Sequence, residues 1–372
     1  MTVPARIFVD LMGFTGGRGG TETYVREILP RLAARLPTSE LVAFCNAEGV
    51  DAVASFFPGK VVFQPRNSGS PREWALAATT AVTAVARRRA ADLIWSPANF
   101  GPITRGPISR VVTLHDVIYH DVAGGGVADR IRRWGTAQLM ARTARTADLV
   151  LTVSHAAAQD IATHLRLPQD QLRVVRNGVH IPAPEGKGRT LPDSGRPILL
   201  SVGNRMPHKN MHGLLAALAS IPPHRRPVTI LPGGGSSDPL AAVATRYGLS
   251  NDVVLPGWVS DGELDRLYES ADLYVCPSLT EGFGLPVLEA LARGTAVLAN
   301  DVPVLREVGG AVTHYADARN PIPFGQAILA CLERKQTLAD AQTRREWAAT
   351  FSWDASADGV ADVLVEARGR RK

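Results

Sequence analysis

The chain of 372 residues is poor in cysteine: Cys45, Cys276 and Cys331 are odd in number and widely spaced. No Cys-x-x-Cys pair occurs, so a cysteine zinc site or redox dithiol is excluded, and the three read as buried small hydrophobic side chains. Long apolar runs are missing as well. No stretch approaches the ~20 apolar residues that span a bilayer, and Met1 leads directly into Ala5-Arg6-Ile7-Phe8-Val9-Asp10 without the basic and small-residue flanks of a signal peptide. The expectation is a water-soluble, cytoplasmic protein. Aromatic residues make up 6%, and apart from Trp134 none interleaves with the basic clusters Arg87-Arg88-Arg89, Arg130 with Arg132-Arg133, and Arg368 with Arg370-Arg371-Lys372. Stacking platforms for nucleic acid are therefore lacking. The formal charge of +6 still favours anionic partners. Those clusters read first as solvated faces and second as peripheral contact with the inner membrane face.

What is present is a repeated alternation. Short β-branched runs alternate with longer Ala/Leu/Arg stretches of helical period, the pattern of βα units and parallel sheets. Strands are expected near Ile7–Leu11, Leu41–Cys45, Val61–Gln64, Leu93–Trp95, Val111–Leu114, Leu149–Val153 and Arg173–Val175. A second set follows at Ile198–Val202, Val228–Leu231, Val253–Leu255, Leu273–Cys276 and Ala296–Ala299. Between the sets, Ile181 to Pro197 is crowded with Pro and Gly and has no period. The expected division is a first α/β domain over 1–181, a linker over 182–197, a second α/β domain over 198–353 and a C-terminal segment over 354–372.

The segment Thr280-Glu281-Gly282-Phe283-Gly284-Leu285-Pro286-Val287-Leu288-Glu289 reads as a loop entering a helix, with Pro286 in the first turn and Gly294 as the stop. A helix is expected from Pro286 to Arg293. Gly282 and Gly284 let backbone approach a ligand, and the Phe283, Gly284 and Leu285 amides at a helix N-terminus attract anions and hydroxyl oxygens. Glu281 and Glu289 are spaced to reach opposite ends of one ligand, although each is equally readable as a helix-terminus or loop acid. Upstream, Gly203-Asn204-Arg205-Met206-Pro207-His208-Lys209-Asn210 also joins a strand to a helix. Arg205 and Lys209 would then lie on the C-terminal rim, where open α/β sheets bind ligands, as diphosphate cations or as solvated loop residues.

These motifs, with Val174-Val175-Arg176-Asn177-Gly178 and Pro256-Gly257-Trp258-Val259, resemble the group 1 family of retaining glycosyltransferases over most of the chain, most strongly from Pro197 to about Val308. The resemblance implies a GT-B fold, two Rossmann-like doubly wound domains facing a central cleft, with residues 354–372 packing back toward the first domain. It implies that Arg205 and Lys209 meet the diphosphate of a GDP-, UDP- or other nucleotide-sugar donor, with Gly203 also among the substrate-binding residues. Glu289 would meet the ribose, Glu281 with Phe283, Gly284 and Leu285 the sugar, and Trp258 with Val259 the base. The Arg-to-Lys interval looks shorter than in some members of the family, which makes Lys209 the firmer assignment.

In the first half, Gly13 to Glu22 is a Gly-rich turn before a helix, but its glycines lack the spacing of a dinucleotide fingerprint. By resemblance, Gly17 and Gly20 would border donor and acceptor. His115 ends a strand; alone it reads as a cap or a partner of Asp116, and by resemblance as a contact to the donor sugar. His115-Asp116 and His120-Asp121 also raise a metal-hydrolase reading, although their spacing does not obviously converge. No Asp-x-Asp occurs, so transfer without a metal or other cofactor is expected. The expected acceptor is a glycan, lipid-linked or small-molecule hydroxyl. The rivals are an epimerase or phosphorylase on the same architecture, and a silent sugar-nucleotide binding subunit.

Overall fold

The computed structural model describes residues 5–14, 16–17, 19–64, 81–118, 126–182, 195–235 and 237–370. His120, Asp121 and most of the expected linker lie outside them. The chain forms two units, Met1–Gly178 with Ser352–Lys372, and Val179–Phe351. The crossings fall a few residues from the expected 181 and 353.

The first unit carries strands β1 (Arg6–Leu11), β2 (Glu40–Asn46), β3 (Lys60–Gln64), β4 (Leu93–Ser96), β5 (Ser109–Leu114), β6 (Leu149–Thr152) and β7 (Leu172–Val174). They form one sheet, ordered β3-β2-β1-β4-β5-β6-β7, and every pair is parallel. A sheet covered by helices on both faces needs apolar strands throughout; β4, β5 and β6 are accordingly buried at every position. Phe8, Val42, Phe44 and Ile94 make one core cluster, and Val112, Met140, Ile161 and Leu165 another.

The helix Trp353–Gly369 belongs to this unit. Ser352 caps it, accepting from the Asp354 and Ala355 N–H groups, and Trp353, Val360 and Leu364 are buried. Arg35 bonds Asp354 at 2.9 Å and Asp358 at 2.5 Å, and the Ser356 hydroxyl donates to the Arg176 carbonyl at 2.5 Å. Gly178 sits directly against the Ser352–Trp353 backbone, where any Cβ would collide.

The second unit carries β8 (Ile198–Leu200), β9 (Val228–Ile230), β10 (Val253–Val254), β11 (Leu273–Cys276), β12 (Val297–Asn300) and β13 (His314–Ala316). Their order is β10-β9-β8-β11-β12-β13, again parallel. Sequence pattern missed β13, whose three residues are half-buried and carry no β-branched side chain. Leu199, Leu214, Leu218, Leu231, Val275 and Phe324 fill this core. All three cysteines are free and buried, and burial pushes each thiol up to about 11.

In both sheets the strand order reverses beside the first strand of the unit, between β1 and β4 and between β8 and β11. Ligands of open α/β sheets bind beyond the C-terminal ends of such strands.

Candidate functional site

In the second unit the loops that leave β8 and β11 are residues 201–210 and 277–284, so they flank the reversal point. The Leu279 N–H donates to the His208 carbonyl at 2.8 Å, tying the two loops together. Asn300, buried at the end of β12, donates to the Ser278 carbonyl at 2.9 Å and accepts from the Ala318 N–H at 2.8 Å. Asn210 donates to the Ala318 carbonyl at 3.0 Å. Two side-chain amides gripping the backbone of one residue, Ala318, thus brace the loops that carry Lys209 and Glu281.

Those two meet. Lys209 Nζ donates to Glu281 Oε1 at 2.6 Å, with the side chains 16% and 9% exposed. Burial alone would raise the Glu281 carboxyl, but the Lys209 charge and hydrogen bond, with the Ser278 hydroxyl, hold it below its ordinary value. The site therefore presents a fixed carboxylate and a fixed ammonium on one rim. His208, half-buried beside them, is lowered by burial and by Lys209.

The next helix is Leu285–Ala292, one residue earlier at each end than the spacing predicts. Gly284 explains the shift: with φ 98° it takes the left-handed N-cap position that other residues rarely occupy. Its carbonyl accepts from the Val287 N–H at 3.0 Å, while the Phe283, Gly284 and Leu285 N–H groups precede the first residue that can find an intrahelical partner. Phe283 and Leu285 are buried, and the Phe283 ring meets Phe351 edge-on at 6.0 Å. Farther along, Glu289 Oε2 accepts from the Tyr268 hydroxyl at 2.8 Å. Burial raises the Glu289 carboxyl despite Tyr268 and Arg293, and Asp265 and Asp261 add to the rise.

Beyond β9 and β10 lies an open groove of about 410 Å³, lined by Gly234, Gly235, Asp238, Pro256, Gly257 and Trp258 among others. Trp258 is 58% exposed, an aromatic face available for stacking. Val259 is half-buried and is not part of the lining.

Arg205 is engaged within the unit. It was expected to face a diphosphate, but its guanidinium is turned inward onto Asp238 and onto the Gly203, Leu231 and Pro232 carbonyls, and its side chain is 11% exposed. The physical reason is a nearby buried acid, which demands a partner more strongly than a solvent-facing position does. The Gly203 carbonyl accepts from Arg205 at 2.8 Å.

In the first unit, His115 follows β5 and is 7% exposed. Its backbone N–H donates to Asn99 Oδ1 at 2.6 Å, its ring Nε2 lies 2.8 Å from the Pro97 carbonyl, and Tyr24 meets the ring edge-on at 4.9 Å. A carbonyl only accepts, so Nε2 carries the proton. Burial pushes the imidazole down to about 4, so at neutral pH it is uncharged and its Nδ1 is a hydrogen-bond acceptor. Asp116 is occupied locally, accepting from the Ile118 N–H at 3.2 Å. Gly17 is exposed in the loop after β1, and Gly20 opens the helix Gly20–Arg35. Asp10, which sequence reasoning passed over as strand, lies one residue before the end of β1 and accepts from Ser96 at 3.0 Å across the reversal point. Burial raises it to about 6 against the Met12 N–H and the Ser96 hydroxyl.

The two halves match two family models. Glycosyl transferases group 1 matches residues 184–364, and Glycosyltransferase Family 4 matches residues 18–181. The chain belongs to the group 1 glycosyltransferases. An MMP alpha-(1->4)-mannosyltransferase of Mycolicibacterium hassiacum is 33% identical over 254 residues, 64% of this chain and 59% of that protein. The O-antigen chain mannosyltransferase B of Escherichia coli is 30% identical over 257 residues, 65% of this chain and 66% of that protein. The chain thus spans 59% and 66% of the lengths of these two relatives. Among solved structures, Anabaena HepE in complex with UDP and glucose aligns with a TM-score of 0.73 at 20% identity, covering 97% of this chain and 100% of that one. At that identity the likeness shows the GT-B fold.

For a group 1 glycosyltransferase, the residues that sequence reading missed are the supports. Asp238 and Tyr268 bond the expected site residues Arg205 and Glu289, while Asn300 and Asn210, the latter inside the Lys209 motif, hold the Ser278 and Ala318 backbone beside them. Only Asp238 and Asn300 carried a signal, a polar residue on a loop or strand end at the C-terminal rim.

Proposed function

We propose that this glycosyltransferase moves a hexose of mannose or glucose type from a nucleoside diphosphate to a hydroxyl acceptor with retention of configuration and without a metal ion. The observation that supports it most is the Lys209–Glu281 pair beside a helix N-terminus at the point where the strand order reverses. Lys209 and the Phe283–Leu285 amides are suited to the charge that develops on a departing diphosphate, the electrostatic arrangement that dominates many transferases. Glu281 is suited to hold sugar hydroxyls, Glu289 the ribose, Trp258 the base, and His115 Nδ1 to accept from a sugar hydroxyl. As the bond from the anomeric carbon to the diphosphate breaks, the acceptor oxygen bonds that carbon on the same face, and its proton passes to a departing phosphate oxygen. No enzymic nucleophile takes part.

The mannosyltransferase names among the relatives favour a mannose-type donor and assembly of an envelope glycan or glycoconjugate. A thermal-shift panel of GDP-, UDP-, ADP- and TDP-sugars in EDTA tests the reading. At a hundredfold excess over Kd, one of them should stabilise the fold by about 2.7 kcal/mol. Stabilisation only when divalent ions are restored would refute metal independence, and none under either condition would refute the donor assignment. An inverted product anomer by NMR would refute retention, and donor turnover with no acceptor would point to the epimerase.

Among the described residues no helix is long and apolar enough to cross a membrane. On the helix Val127–Thr146, Ile131 and Trp134 lie one turn apart, 64% and 67% exposed, in a run that includes Arg130 and Arg133. An aromatic and an aliphatic side chain among cations suit an acidic lipid surface, and we extend the proposal to a lipid-linked acceptor reached by peripheral contact. The protein should co-sediment with anionic but not neutral vesicles at low salt, and Trp134→Ser should weaken this. Equal recovery with both vesicle types would remove the lipid surface.

A further inference from the structure

The inward turn of Arg205 is carried by a built set of partners. Its Nε lies 3.1 Å from both Asp238 oxygens, its Nη1 lies 2.8 Å from the Gly203 carbonyl and 3.3 Å from that of Pro232, and its Nη2 lies 2.7 Å from the Leu231 carbonyl and 2.6 Å from Asp238 Oδ2. A guanidinium has five N–H donors in a rigid fork. With six contacts within the unit, Arg205 has none to spare for a phosphate. Asp238 is equally engaged, 6% exposed, and its Oδ1 also accepts from the Leu240 N–H at 3.0 Å.

The backbone is shaped around this pair. Gly233 has φ 97°, and a Cβ there would come within 2.6 Å of the Gly203 carbonyl. A Cβ on Gly234 would strike the Asp238 carboxylate itself. The Gly233 N–H donates to the Gly257 carbonyl at 2.8 Å, so the loop held by Arg205 in turn holds the loop that bears Trp258. Three loops are thereby joined, and two of them form the groove, with Gly234 and Asp238 on one side and Trp258 on the other.

We infer that Arg205 and Asp238 are positioning residues that set the width of the Trp258 groove, and that Arg205 is not a ligand of the donor diphosphate. This rests on the reading that the groove receives the nucleobase. Loss of the pair loosens a wall, which weakens whatever lies against it whether or not phosphate is attached. A phosphate ligand behaves differently: its loss spares a ligand without phosphate, and freeing it from Asp238 tightens a ligand with phosphate.

The test compares two probes, GDP with guanosine or UDP with uridine, whichever base binds the wild type, by ligand-observed NMR and calorimetry. Arg205→Gln and Asp238→Asn should each weaken both probes by a similar factor, about ten- to a hundredfold as for other misplacements near 1 Å. Donor KM should rise by more than kcat falls. Because each single change leaves a buried partner unmatched, the double variant R205M/D238L, which removes both charges together, supplies a folded comparison. It should lose no more affinity than either single variant. Two results would overturn the inference: Arg205→Gln weakening the diphosphate at least tenfold more than the nucleoside, or Asp238→Asn tightening the diphosphate. A wild type that binds neither base would instead remove the nucleotide reading of the groove, and the inference with it.

Discussion

Lys209→Met and Glu281→Leu are each expected to lower transfer by at least about a hundredfold, the scale on which single preorganised groups act. They should also lower stability, because Lys209 and Glu281 are 16% and 9% exposed and each change strands the other charge. Breaking a buried pair from one side costs about 3–5 kcal/mol, which for a unit of this size lowers the melting temperature by roughly 6–20 °C. The double variant separates the two effects. Removing both charges should recover most of the lost melting temperature, since matched apolar replacement of a buried pair is often neutral, yet transfer should stay down. Calorimetry and a donor-consumption assay on the three proteins decide it: recovered transfer in the double variant would show the pair to be structural. Acid gives an independent reading. The Glu281 carboxyl is held below its ordinary 4.5, so its stabilising contribution is complete above that value and is lost as pH falls through the lower value it has in the fold. The double variant should lack that acid-side loss.

Gly178→Ala should be the most damaging single-methyl change in the first unit. The added carbon would land on the Trp353 nitrogen and the Ser352 carbonyl carbon, and Trp353 is 3% exposed. Backbone cannot rotate aside as a side chain can, so the cost is that of overpacking, about 2–3 kcal/mol. Gly135→Ala, in the middle of a helix with nothing within 4 Å of the new carbon, should stabilise by about 0.4–1 kcal/mol through the unfolded state. Urea melts of both variants check the contrast, and a Gly178→Ala midpoint equal to wild type would show that the helix Trp353–Gly369 is not seated against that backbone.

The parallel sheets were legible because a strand buried on both faces is largely apolar, and β4, β6 and β11 announce themselves by the runs Leu93-Ile94-Trp95, Leu149-Val150-Leu151 and Leu273-Tyr274-Val275. His314-Tyr315-Ala316 could not, because its place in the sheet comes from pairing with β12 rather than from its own side chains. Lys209 and Glu281 were readable as members of one rim since each follows a strand and precedes a helix. The direction of Arg205 was not. It depends on Asp238, 33 residues on, and nothing local in Gly-Asn-Arg-Met-Pro says that an acid waits there. The tautomer of His115 was hidden in the same way, being set by the carbonyl of Pro97, 18 residues away.

The first unit is completed by a helix made after the whole of the second. Helix Trp353–Gly369 packs on the helix Gly20–Arg35 and on β4, β5 and β6, so on the ribosome those surfaces wait while residues 179–351 are translated. At about 5–20 residues per second that delay is on the order of ten to thirty seconds. The nascent chain therefore presents an apolar face with no cover at hand, and the second unit can finish folding before the first. Chaperone dependence and sensitivity to premature termination would follow from the order of synthesis, and a stop codon just before Ser352 would cripple the unit encoded at the opposite end of the message.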